Sequence, residues 1–148
     1  MTDRQKQIYR FGQLYGYICS KNRHWSGSAH DAYAVLFPFK GFTAAFMAAM
    51  KAHVIEPGDV YISTRIDSID ADFEQDKPLT IDEQGIWSLG RLQYKRDIES
   101  LIDSTGLTQA QLAKRLNLTT LTVGRWYRGE VSPKEQARFE IEDIVLSK

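Results

Sequence analysis

Cysteine is almost absent from this chain: Cys19 stands alone, so no disulfide can form within it. That usage fits a reducing, cytoplasmic compartment. Long hydrophobic runs are missing too. The longest apolar stretch, Phe42 to Met50, falls far short of the roughly 20 residues needed to cross a bilayer, so no membrane partner is expected. The opening residues Thr2 to Gln7 are polar and charged, unlike a secretory signal. Excess charge of either sign is lacking: 19 lysines and arginines balance 19 aspartates and glutamates. A bulk electrostatic case for nucleic-acid binding is thereby removed, and any such affinity must be local. There is no internal repeat and no low-complexity tract.

What is present is material for a folded globule: 148 residues, 43% hydrophobic, with large apolar side chains throughout. Ile8, Phe11, Leu14, Tyr15 and Ile18 recur at helical spacing within Asp3 to Ser20. A Ser/Gly-rich loop over Asn22 to Ala29 precedes a short helix over Ala29 to Phe37, which Pro38 ends by disfavouring helix in the residue before it. Gly41 to Val54 reads as a buried helix, and Pro57 suits the first turn of a following element. Val60 to Ile69 fits both templates: Val60, Ile62, Thr64 and Ile66 alternate like a strand, whereas Ile62, Ile66 and Ile69 share a helical face. Asp67 to Glu83 holds seven acids and one base, so Ala71 to Leu79 is expected to be an acidic loop. No proline interrupts Ile81 to Ser104, which predicts one long helix shared by both halves, weakened at Gly90 by about 1 kcal/mol relative to alanine.

The densest signal begins at Thr105. Thr108 followed by Gln111 forms a capping box ahead of a short helix, Gln109 to Leu116. Leu112, Ala113 and Leu116 form its inner face, with Ala113 small where another helix must cross. Asn117 suits a left-handed turn, Leu118 is expected to plug the corner, and Thr119 caps a second helix that buries Val123 and Trp126. Gly129 lets the chain leave. Residues 109 to 128 contain Lys114, Arg115, Arg125 and Arg128 and no acid. A final helix, Ser132 to Leu146, offers Phe139, Ile141, Ile144, Val145 and Leu146, most of them for core packing.

This constellation resembles the phage-repressor-type (XRE-like) helix-turn-helix family over about a third of the chain. The resemblance implies that the second helix enters the major groove of double-stranded DNA. It then presents Thr120, Leu121, Gly124 and Arg125 to base edges, while Gln109 and Arg128 touch the backbone or steady those contacts. Arg125 can bond guanine in bidentate fashion and Leu121 can meet a thymine methyl. The bases available for phosphates are few, which implies a homodimer or a second DNA-binding partner.

Further resemblance lies upstream. Arg10-Phe11-Gly12-Gln13-Leu14, Trp25-Ser26-Gly27-Ser28-Ala29, Val35-Leu36-Phe37-Pro38 and Leu79 to Gly90 occur in the order found in the large subunit of type I-C CRISPR surveillance complexes. They look like its carboxy-terminal region, which that family also makes as a separate small subunit. The stretch covers roughly residues 8 to 96, and its most specific piece is Glu83 to Gly90. The resemblance implies a helical protein-docking domain, with Val60 to Ile69 helical. It also implies some nucleic-acid contact, for which Arg4, Lys6, Arg10, Lys21 and Arg23 are candidates; a solvated helix face is the plainer use of those five.

Other chemistry finds no footing. His24, His30 and His53 have no metal-site spacing with Cys19. Ser26-Gly27-Ser28 lacks the lysine of a phosphate-binding loop. Asp67, Asp70, Asp72, Glu74 and Asp76 lack the glycine and terminal glutamate of a calcium loop. The expectation is therefore a non-enzymatic all-α protein without metal or cofactor. Its helical bundle, residues 1–96, joins through a long helix to a DNA-binding domain, residues 97–148. Three roles fit: a mobile-element protein that blocks CRISPR immunity and represses its own promoter, a working subunit of a type I-C complex, or an ordinary dimeric repressor.

Overall fold

The structure is a computed structural model and describes residues 1–25, 27–73 and 77–148, with the backbone alone at Ser28. Ser26, Glu74 and Asp76, and the Ser28 side chain, lie outside that description. Among the described residues all regular structure is helical: α1 (Asp3–Lys21), α2 (Ser28–Leu36), α3 (Pro38–Lys51), α4 (Val60–Ile66), α5 (Ile81–Leu92), α6 (Ile98–Ser104), α7 (Gln109–Arg115), α8 (Thr120–Tyr127) and α9 (Glu135–Leu146). The chain divides into two compact units, Met1–Lys95 and Arg96–Lys148. No helix of the described residues is long and apolar enough to cross a membrane.

In the first unit α1 is the central strut. Thr2 and Gln5 close a capping box at its start, and Ile8, Phe11, Leu14, Tyr15 and Ile18 are all buried. Phe11 meets Phe39, Phe42 and Phe73 with ring centroids 6.0, 6.2 and 5.0 Å away. The seam between α1 and α5 is tighter than side chains allow. A Cβ on Gly12 would overlap the Trp87 carbonyl, one on Gly90 the Tyr9 carbonyl, and one on Gly16 would lie 2.5 Å from the Arg91 carbonyl oxygen. Backbone rests on backbone there, so Gly90 is a packing requirement and not a weak point. A second close approach sets Gly41 of α3 against Ala34 of α2.

Several expectations need correction. One helix across Ile81 to Ser104 does not form. α5 stops at Leu92 and α6 starts at Ile98. The break has two causes: the Tyr94 carbonyl accepts a 2.6 Å bond from the Tyr61 hydroxyl, and Asp97 caps α6 through the Ser100 N–H. α3 begins at Pro38, not Gly41, because proline at the first helical position loses no intrahelical bond. Pro57 sits in the turn before α4 rather than within an element. Val60–Ile66 is helical: Asp59 caps it by accepting from the Ile62 N–H at 3.1 Å, and Tyr61, Ile62 and Arg65 are the buried side. Arg65 is fully buried, its guanidinium 3.5 Å above the Tyr61 ring. Arg10 is buried as well and donates to Gln13 at 2.9 Å. Arg4 pairs with Glu83 at 2.7 Å. Neither Arg10 nor Arg4 is thus an unengaged surface base.

Three helices of this unit meet around Asp31. The Tyr15 hydroxyl donates to it at 2.7 Å and Arg91 pairs with it at 3.1 Å, tying α1, α2 and α5 together. Burial, reinforced by the Asp31 carboxylate, pushes the Tyr15 hydroxyl far above the usual phenol range. Burial also raises the Cys19 thiol, which keeps it protonated.

The second unit is smaller. Leu101, Ile102, Leu112, Ala113, Val123, Trp126 and Ile141 form its core, drawn from α6, α7, α8 and α9. Arg138 on α9 donates to the Arg96 carbonyl, and Arg96 donates to the Ser104 hydroxyl at 2.8 Å, which closes α9 onto the start and end of α6.

Candidate nucleic-acid interface

The α7–α8 corner is built by its helix ends. The Thr108 hydroxyl accepts from the Gln111 N–H at 3.1 Å and the Gln111 side chain accepts from the Thr108 N–H at 2.8 Å. α7 then closes on a left-handed residue, Asn117, with φ 59°. The Leu118 N–H bonds the Ala113 carbonyl at 2.8 Å and the Asn117 N–H bonds the Lys114 carbonyl at 3.2 Å. That pair of bonds is a Schellman ending, which fixes the angle at which the next helix departs. Thr119 caps α8 through the Thr122 N–H at 3.2 Å. At the far end Gly129 (φ 75°) repeats the device, with Gly129 and Glu130 donating to Trp126 and Arg125 carbonyls at 3.0 Å each. Both ends of α8 are therefore fixed by hydrogen bonds, and its inner side, Val123 and Trp126, is buried in the core.

The outer side of α8 is open. Thr120, Leu121 and Arg125 are exposed, Leu121 at 60%. Gly124 stands apart from these three: it is buried, because the side chains of Arg128 and Gln109 cover it. A Cβ there would meet Arg128 Nη1 at 3.1 Å and Gln109 Oε1 at 3.2 Å. So the six residues singled out by sequence come together as an exposed trio and, beside it, a buried glycine that serves as the bed for the Arg128 guanidinium and the Gln109 amide. Leu118, expected to plug the corner, is instead 41% exposed; the Schellman bond turns it outward, and Leu116 packs on the core in its place.

Sequence reasoning overlooked two neighbours. Glu130 grips Arg128, with Nε to Oε1 at 3.1 Å and Nη2 to Oε2 at 3.5 Å. That pairing holds the Glu130 carboxyl below its ordinary range. The acid's position two residues after Arg128 was the available clue. Tyr127 donates to Asp103 at 3.5 Å, linking α8 to α6, and this bond raises its hydroxyl.

Charge within the unit is divided by element. Lys114 and Arg115 on α7, Arg125 on α8 and Arg128 just past its carboxyl end are all exposed. Lys114 and Arg115 line a shallow hollow of about 440 Å³ with Leu107 and Gln111. Asp97, Glu99 and Asp103 belong to α6 and its cap, around another open hollow of about 480 Å³. No group of three metal-ligating side chains occurs among the described residues. Comparison with family models, curated proteins and solved structures gives no match for this chain.

Proposed function

We propose that the α7–α8 corner is a helix-turn-helix that lays α8 in the major groove of double-stranded DNA. The observation that carries this reading is the outer side of α8: Thr120, Leu121 and Arg125 exposed together on a helix fixed at both ends, in a stretch with four bases and no acid. In this reading Arg125 reads guanine, Leu121 meets a thymine methyl and Thr120 bonds a base edge. Gln109 and Arg128, lying over Gly124, hold a phosphate, and Arg128 exchanges Glu130 for it. Four bases give one copy modest affinity. Were all four to neutralise phosphates, binding would fall by about a hundredfold between 50 and 200 mM salt. Two copies on a two-fold site supply the rest.

The resemblance of residues 8 to 96 supports the other half of the reading. Met1–Lys95 docks where the small subunit of a type I-C CRISPR complex docks, and occupies that surface without completing the machine. Such a chain belongs to a mobile element, blocks immunity, and uses its second unit to restrain its own promoter. Electrophoretic mobility assays on random and selected duplexes test the DNA half. Arg125→Ala relaxes sequence preference, with about 1 to 3 kcal/mol of discrimination lost at one base pair. Arg128→Ala weakens binding on every sequence. Equal loss on all sequences for Arg125→Ala would refute the assignment of base readout. Pull-down with purified type I-C components tests the other half. Rescue of a complex lacking its small subunit would make the chain a working subunit, and operator binding with no capture would make it an ordinary repressor.

A further inference from the structure

α5 has two faces. One carries Trp87 and Gly90 and is packed on α1. The other carries Ile81, Gly85, Ser88 and Leu92, at intervals of four, three and four, the spacing that keeps a stripe on one side of a helix. Ile81 is 85% exposed and Leu92 81%, the highest values of any large hydrophobic residue described. Gly85 and Ser88 between them are exposed, and nothing lies within 4 Å of a Cβ built on Gly85. Isolated exposed leucines are ordinary. An aligned stripe with a large residue at each end and two small ones in the middle is not.

We infer that this face pairs with the same face of a second copy, the two α5 helices running antiparallel. The stripe is self-complementary under a two-fold rotation about the point midway between Gly85 and Ser88. Ile81 then meets Leu92 of the second copy, and Gly85 meets its Ser88, so the small residues let the helices approach closely. Charge selects the same orientation. Asp82 is exposed at the amino end of α5 and Lys95 is exposed just past the carboxyl end. Glu83 and Arg91 are already engaged by Arg4 and Asp31. Antiparallel pairing brings the acidic end of each helix to the basic end of the other and opposes their macrodipoles, whereas parallel pairing stacks Asp82 on Asp82. A face of three helical turns is small beside the roughly 800 Å² per partner of a lasting interface, so the dimer is a reversible, micromolar association. The pairing is a property of Met1–Lys95 and is independent of DNA binding by Arg96–Lys148.

Sedimentation equilibrium of the full chain, without DNA, from micromolar to millimolar concentration is the test. A monomer–dimer equilibrium is expected, weakened at least about tenfold in Ile81→Glu/Leu92→Glu. Asp82→Lys alone weakens association, and adding Lys95→Asp restores it. In a Cys19→Ser background, mixing Gly85→Cys and Ser88→Cys chains under mild oxidation gives the mixed cross-link ahead of either homodimer. All the substituted side chains on α5 are exposed, and far-UV circular dichroism checks that the helices persist. A monomer at every concentration, a dimer indifferent to these substitutions, or preferential like-with-like cross-links would each overturn the proposal.

Discussion

Met1–Lys95 and Arg96–Lys148 are held together by different kinds of constraint. In the first unit the decisive places are those with no room: three glycines of α1 and α5 where two backbones touch, and a buried arginine stacked on a tyrosine. In the second the decisive places are helix ends, where threonine hydroxyls, a left-handed asparagine and a glycine satisfy backbone groups left over by short helices. Contact-tight packing depends on residues far apart in sequence and tolerates no added atom. Capping acts within a few residues, each bond contributes modestly, and the loss of one leaves the rest in place. The unit assigned to recognition is thus the one whose surface helix can change its outer residues without disturbing its core.

Substitutions can break or sharpen that contrast. The largest effect is expected for Gly12→Ala, which drives a methyl group into the Trp87 carbonyl: about 3 kcal/mol lost, read as faster amide exchange throughout Met1–Lys95 while Arg96–Lys148 stays protected. Parallel loosening of both units would show that they do not differ as described. Thr108→Ala removes one capping box and costs about 1 kcal/mol, seen as a lower denaturation midpoint for Arg96–Lys148, and Thr108→Ser recovers most of it. Gly85→Ala, on the face of α5 that is open within one copy, moves the other way and stabilises the first unit by about 0.5 to 1 kcal/mol when read at dilutions where the chain is monomeric; a loss there would mean that this glycine has neighbours within its own chain.

The smallest effect concerns pH. Burial alone would raise the Glu83 carboxyl, but the Thr80 N–H and the Arg4 guanidinium outweigh it and hold it below the ordinary glutamate range. A carboxyl depressed on folding stabilises the fold above its unfolded value and loses that contribution as pH falls through the folded one. Glu83→Gln should therefore cost stability at neutral pH, with the gap to the parent narrowing only in the acid region below the ordinary glutamate value. A gap that stays constant far below that pH would mean the charge is not what Glu83 contributes.

The same contrast explains what could be read from the residues alone. The capping box at Thr108, the turn at Asn117, the cap at Thr119 and the exit at Gly129 were legible because each is a local rule with a short reach in sequence. So were the buried Val123 and Trp126 at helical spacing. Gly90 misleads in the sequence alone, since it looks like a flaw until the Tyr9 carbonyl is set against it. The gap between Leu92 and Ile98 was hidden for a related reason: its cause includes a hydroxyl on Tyr61, thirty-three positions away from the carbonyl it holds. Asp97 ahead of Ile98 was a signal that an interrupted helix allowed and an uninterrupted one did not need. The outward turn of Leu118 follows from a backbone bond, which apolar patterning does not encode. At the candidate interface, the exposure of Thr120, Leu121 and Arg125 follows from their helical spacing away from Val123 and Trp126, whereas the covering of Gly124 emerges only when Gln109 and Arg128 are placed over it.

The seam of Gly12, Gly16 and Gly90 has a genetic corollary. Every single-nucleotide change in a glycine codon is either silent or adds at least one carbon, apart from those that stop translation. At these three positions there is no smaller amino acid to try and no near-neutral neighbour one step away, so drift along this line is closed. Lineages of the chain can vary widely at Leu121 or Arg125 and still retain the same three hydrogens where the helices cross.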